Sequence, residues 1–441
     1  METNLIKEVV VILALAVFVV LVFRRFKLPV ILGFLLTGLI AGPTALNLAS
    51  DMEGIHFLSE TGVILLLFVI GLEFSPRELL AIKTTVLLGG SLQVGLSILL
   101  SLLASLAFGL SISQGVFLGF CISLSSTAIV LRVLQDQNNI TSPHGRNALG
   151  ILIFQDIVVV PMMLLTPLLA GVGGNIEEEL LWLAGKMALV GIILFLLSKF
   201  FLPSLLDQVA KSKSRELFVL TTVLICFSIA GLTYTLGLSL ALGAFLAGLL
   251  LSDSEYSHQA TGDILPFREV FTSFFFVSIG MLLDLNFLFQ HWYLVLPLAI
   301  AVSLLKWLAA SLAAAALKYP LRTAMLTGFA LFQVGEFAFV LAGIGQLHGL
   351  MDETLSQYFL SISILSMAAT SFVMNYSSSW VDGILDRYIP KSFQDTVGKE
   401  GIEPSIKASL QDHIIIIGYG LNGTNLALAA KTSGIPYVIV D

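Results

Sequence analysis

A chain of 441 residues with 57% hydrophobic and only 12% charged side chains, at a mean hydropathy of +0.97, is not a water-soluble domain. Its formal net charge of −7 says little about partners, and no nucleic-acid partner is expected. The two cysteines, Cys121 and Cys226, both fall in apolar runs, so they read as packed thiols and not as a disulfide framework.

Apolar runs of about 17 residues or more read as membrane spans. In chain order they are 5–23, 28–46, 57–73, 84–108, 113–134, 146–171, 180–200, 215–235, 237–252, 264–283, 288–317, 322–347 and 353–378, thirteen in all. The first follows an acidic start and lacks a small-residue cleavage signal, so it reads as a retained helix. Only Thr235-Leu236-Gly237 divides the eighth run from the ninth. Thirteen spans put the two termini on opposite sides. Of the 22 lysines and arginines, Lys306 lies within a run and only Lys7 and Lys186 share the side of the N-terminus. The positive-inside rule therefore places the N-terminus outside and the C-terminus in the cytoplasm, in the inner (plasma) membrane.

Two charges interrupt these runs. Asp156 lies ten residues into 146–171, hence ~15 Å deep, and Lys306 lies twelve residues from Lys318, ~18 Å deep. Both depths are near the middle of a ~30 Å hydrocarbon core, where a charge persists only when paired, hydrated or functional. Ser125, Ser126 and Thr127 reach comparable depth in the fifth run, and Gln333 to Phe337 form the polar stretch of the twelfth. These stretches lie seven runs apart. An odd separation inverts their direction across the membrane, as in inverted-repeat transporters with discontinuous helices around a midplane site. Ser/Thr back-bonding within an intact helix would explain the fifth run equally well.

With Lys306 as charge partner, Asp156 can be neutralised by a monovalent cation or by a proton, but not by both. That competition is the simplest basis for antiport. Gln155 adds an amide that can orient a ligand, and Ser125, Ser126 and Thr127 add hard oxygen donors suited to potassium or sodium. Glu336 is equally well read as a neutral core acid or as part of an ion path, and Glu73 reads as a solvated helix-end charge. His56, His291 and His348 show no metal-ligand spacing, and no nucleophile–base arrangement is present. A transporter without a catalytic cofactor is expected, not an enzyme.

After the membrane part (1–380), a polar segment at 381–412 suits a linker. The stretch 413–441 then reads strand (His413–Ile417), glycine turn (Gly418, Gly420, Gly423), helix, and a strand ending at Asp441. This is the dinucleotide-binding fingerprint in its proper context. About thirty residues cannot close such a sheet, so the segment is expected to be the N-terminal part of a truncated Rossmann-like domain. A regulatory nucleotide, NAD(H) or AMP, is the cofactor it would take.

Together, Phe154-Gln155-Asp156, Leu124-Ser125-Ser126-Thr127-Ala128, Gly335-Glu336-Phe337-Ala338-Phe339 and Gly71-Leu72-Glu73 resemble the Kef-type branch of the cation:proton antiporter superfamily. The fingerprint at Gly418 is similar to that branch's RCK-type regulatory domain. The resemblance implies an all-α polytopic fold with broken crossing helices and a homodimer in lipid. It also implies potassium–proton exchange with Gln155-Asp156 as the ion-site motif. One departure concerns gating. The stretch His258–Phe267, read as a cytoplasmic loop, keeps Asp263 but lacks the flanking acids of glutathione-gated relatives. Sodium/proton exchange is the near alternative. A nucleotide-regulated potassium channel would need a carbonyl filter of the Thr-Val-Gly-Tyr-Gly kind, which the sequence does not contain. A nicotinamide-linked oxidoreductase would need a substrate domain in water.

Overall fold

The computed structural model describes residues 2–26, 28–48, 52–73, 84–171, 185–186, 189–236, 239–252, 254–388, 413–417, 426–427, 429–430, 432–433 and 435–440. Contacts divide the chain into Met1–Arg387 and Tyr388–Asp441. The first unit is helical. It begins with α1 (Glu2–Arg25), α2 (Val30–Ala41) and α3 (Met52–Glu73), and a wide π-helical turn at Thr84–Gly89 leads into α4 (Gly90–Ala107). α5 (Ile112–Ser123), α6 (Thr127–Asp136), α7 (Pro143–Leu169) and α8 (Leu189–Lys211) follow. Then come α9 (Arg215–Thr235), α10 (Leu240–Ser252), α11 (Ser257–Met281), α12 (Leu285–Ala316), α13 (Leu321–Leu331), α14 (Phe337–Leu347) and α15 (Glu353–Tyr388). Among the described residues, eight helical stretches are long and apolar enough to cross a membrane. The chain is a multi-pass membrane protein.

Helix starts follow from local chemistry. Ser111 and Gln114 close a reciprocal capping box on α5. Ser142 caps α7 ahead of Pro143 at its first position, and Ser214 caps α9. Asp284 accepts from the Asn286 N–H at the start of α12.

Three helices outrun their apolar runs. α8 continues past residue 200 to Lys211, because Leu202, Leu206 and Val209 form a buried stripe that Ser204, Asp207 and Gln208 dilute in the sequence. α11 starts at Ser257, so the stretch His258–Phe267 is helix and not loop; Ala260, Asp263 and Ile264 are buried on one face, and Pro266 sits inside the helix. α15 runs to Tyr388, beyond the expected boundary at 380, with Val381 and Leu385 buried one turn apart.

α2 packs against α11, and α3 against α10, through glycines that let backbones meet. A Cβ on Gly248 would collide with the Phe68 carbonyl and stand 2.9 Å from Gly71 Cα. Gly38 and Gly280 meet in the same way across α2 and α11.

In the second unit, Ile414–Ile417 (β1) and Tyr437–Val440 (β2) pair in parallel, Ile414 opposite Tyr437 and Ile417 opposite Val440. Parallel neighbours need a crossover between them, and the described positions 426–427, 429–430 and 432 are helical. The expected nucleotide residues Gly418, Gly420, Gly423 and Asp441, the linker 389–412 and the side chain of Glu73 lie outside the described residues.

Gly248→Ala should lower thermal stability by about 1–3 kcal/mol, because α3 and α10 cannot both keep their backbones in place. Gly95→Ala, at a helical position with no atom within 4 Å of the added carbon, should not destabilise. Thermal denaturation in detergent measures both.

Candidate functional site

The fifth apolar run is not one helix. α5 ends at Ser123, Leu124 and Ser126 adopt extended conformations (ψ 139° and 106°), and α6 restarts at Thr127. Serine favours such an interruption because its hydroxyl competes for backbone groups. Here the Ser126 hydroxyl caps α6 by accepting from the Ile129 N–H at 3.3 Å. The twelfth run breaks as well, with 332–336 separating α13 from α14. The two breaks touch. Gly335 N donates to the Leu124 carbonyl at 3.0 Å, and Ser125 Oγ donates to the Leu331 carbonyl at 2.9 Å. Any Cβ on Gly335 would strike the Ser125 carbonyl group, so only glycine fits this crossing.

Charged groups gather on the opened helix ends. Lys306 of α12 is fully buried, and its Nζ donates to the carbonyls of Ile122 (2.6 Å) and Leu124 (2.7 Å). A cation at a helix C-terminus sits at the favourable end of the dipole and satisfies carbonyls that the break orphans. Half-buried Asp156 of α7 approaches the other end. Thr127 Oγ1, on the first residue of α6, lies 3.2 Å and 3.1 Å from its two carboxylate oxygens. The two charges expected to pair are therefore tied to opposite ends of one three-residue interruption.

Glu336, just before α14, is buried. Its carboxyl lies near the Ser126 side chain and the Ala128 backbone, at that same N-terminal end of α6. Its Oε2 has no hydrogen-bond partner. Two carboxylates thus converge on one helix N-terminus, an arrangement that favours negative charge.

The remaining expected site residues divide by role. Ser125 and Ser126 use their hydroxyls on the crossing and on the α6 cap, whereas Thr127 reaches Asp156. Gln155 is expected to supply an amide that can orient a ligand. Both ends of its amide bind protein: Oε1 accepts from Ser125 N at 2.7 Å, and Nε2 donates to Gln93 Oε1 at 2.7 Å. The reason is the break, which leaves the Ser125 N–H without its helical acceptor. Gln93 on α4 escaped the sequence reading. It is fully buried and donates to Ser97 Oγ (3.0 Å) and to the Ser123 carbonyl (3.2 Å). Its only signal was a lone amide in an uncharged stretch where serines are the other polar residues.

Residues 11–376 match the family described as sodium/hydrogen exchanger, transmembrane, and the chain belongs to that family. Among its relatives, KefB of Alkalimonas amylolytica is 33% identical over 435 residues, 98% of this chain and 65% of that protein. K(+) efflux antiporter 5 of Arabidopsis thaliana is 35% identical, over 88% of this chain and 69% of that protein. The chain thus spans about two thirds of the length of these relatives. The sodium proton antiporter MjNhaP1 of Methanocaldococcus jannaschii has the same fold, with a TM-score of 0.66 at 18% identity over 87% of this chain and 100% of that one.

Lys306→Met should remove the Lys306 donor from the Ile122 carbonyl and leave the Leu124 carbonyl with Gly335 N alone. The loss expected is about 1–3 kcal/mol, measured as a lowered melting temperature in detergent.

Proposed function

We propose that this chain is the membrane part of a monovalent cation/proton antiporter and a secondary transporter, not an enzyme. Potassium leaves in exchange for protons. The observation that carries this reading is the half-buried Asp156 carboxylate, held by Thr127 at the N-terminal end of a helix interrupted inside the membrane part. Such a carboxylate binds a proton or a partly dehydrated cation, one at a time. Occupancy by one excludes the other, and alternating access then couples their opposite movements. Thr127 and the carbonyls around the break supply neutral oxygens of the kind alkali cations accept. Lys306 offsets charge at the carbonyl end of the same break. Gln155, Ser125 and Ser126 hold the frame, and Glu336 stands beside it as a second proton-binding group.

Potassium is favoured over sodium because the relatives named K(+) efflux antiporters align over most of the chain. The family description and the MjNhaP1 fold keep sodium/proton exchange as the second reading. The finer architecture belongs to this proposal. It has thirteen passes, the N-terminus outside and the C-terminus in the cytoplasm of the inner membrane, two inverted repeats meeting at the crossed breaks, and a homodimer in lipid. The parallel pair β1–β2 supports a Rossmann-like regulatory segment in which Gly418, Gly420, Gly423 and Asp441 would hold a nucleotide.

In proteoliposomes carrying an outwardly imposed proton gradient and a pH-sensitive dye, added potassium should dissipate the gradient. Asp156→Asn should abolish the response while the protein still folds. Normal exchange by Asp156→Asn would end the mechanism, and a response to sodium but not potassium would select the second reading.

A further inference from the structure

Gln93 and Gln155 form a relay that stands where helical hydrogen bonds are missing. The Ser125 N–H donates to Gln155 Oε1, Gln155 Nε2 donates to Gln93 Oε1, and Gln93 Nε2 donates to the Ser123 carbonyl. In a continuous helix the Ser125 N–H would reach the carbonyl four residues back, and the Ser123 carbonyl would receive the N–H four residues on. The break frees both groups. Two side-chain amides, one from α4 and one from α7, reconnect them across Leu124. The backbone groups at the ends also fix the polarity of both amides: a backbone donor at one end requires an oxygen facing it, and a carbonyl at the other requires an N–H.

Resting on the antiport reading, we propose that Gln93 is a positioning residue that sets cation affinity at Asp156 by holding the break at a fixed span, with Gln155 as intermediary. The relay encloses Leu124, whose carbonyl receives both Lys306 Nζ and Gly335 N. It ends two residues before Thr127, whose hydroxyl binds Asp156. A change of span therefore moves the oxygen donors and the lysine anchor together. Gln93 acts through these groups and not as a ligand. Its hydrogen-bond partners are Ser97, Ser123 and Gln155. Because it is fully buried, its amide would be costly in this position without the relay.

The test uses the 441-residue chain in proteoliposomes, with initial rates of proton movement measured against potassium and sodium concentration. Melting temperatures of the same preparations are measured alongside. Gln93→Leu should raise the apparent KM for potassium about fivefold or more, with a smaller change in maximal rate and a shifted potassium-to-sodium preference. Gln155→Leu should do the same. The double variant should be no worse than the weaker single one, because one unit is lost only once. Gln93→Glu keeps the acceptor for Gln155 but, when ionised, loses the donor to Ser123, so it should fall between parent and Gln93→Leu.

A KM within twofold of the parent in folded Gln93→Leu, or single effects that multiply in the double variant, overturns the proposal. If Gln93→Leu does not fold, the near-isosteric Gln93→Glu decides by the same criterion: a raised KM at unchanged melting temperature supports it, and an unchanged KM overturns it. Failure of the antiport reading has a different signature, an Asp156→Asn protein as active as its parent, and Gln93's role falls with it. A flat Gln93 series beside an inactive Asp156→Asn removes this proposal alone.

Discussion

Inside a bilayer there is no water to satisfy a free backbone carbonyl or N–H, so an interrupted helix survives there only when protein groups take over its loose ends. The break at Leu124–Ser126 meets that requirement from four directions. Lys306 binds the carbonyls of Ile122 and Leu124, Gly335 N adds a second donor to Leu124, Gln155 takes the Ser125 N–H, and Gln93 takes the Ser123 carbonyl. α4, α7, α12 and the opposing break are all fastened to the four residues Ile122 to Ser125. Each side chain used this way would be a liability if the helix were whole.

The same fastening creates the chemistry. Two helix ends that would cancel inside a continuous helix are exposed to their surroundings, one rich in carbonyls and one rich in N–H groups. The lysine goes to the first and the carboxylates go to the second. Asp156 is half-buried and meets the Thr127 hydroxyl, whereas Glu336 is buried against the cap of α6. The two carboxylates therefore differ in their access to the surroundings. The small-residue contacts of α2 with α11 and of α3 with α10 lie elsewhere in the chain, where close backbone packing serves stability.

Much of this was legible in the residue order because the membrane is a severe filter. Asp156, Lys306 and the serine-threonine cluster stood out simply by being polar at depth, and Gly335 and Glu336 stood out in the same way. Less visible were the places where polarity is ordinary. The amphipathic end of α8 and the early start of α11 carry enough polar residues to resemble loops, and only the buried stripe on one face makes them helix. Gln93 was missed for a related reason: one amide in a long uncharged stretch has no meaning until its partner is known.

Composition and hydropathy by themselves determined that this is a multi-pass membrane protein with charges at bilayer depth, because the cost of burying polar groups in hydrocarbon depends on residue type and not on fold. Tertiary structure alone decided which polar group meets which. It tied the Gln155 amide to Ser125 and Gln93, and Lys306 to backbone carbonyls. It also brought Glu336 to the helix end that Asp156 approaches. Hydrogen bonds are directional and short, so their partners are chosen by how helices distant in sequence cross, and no spacing along the chain encodes that crossing.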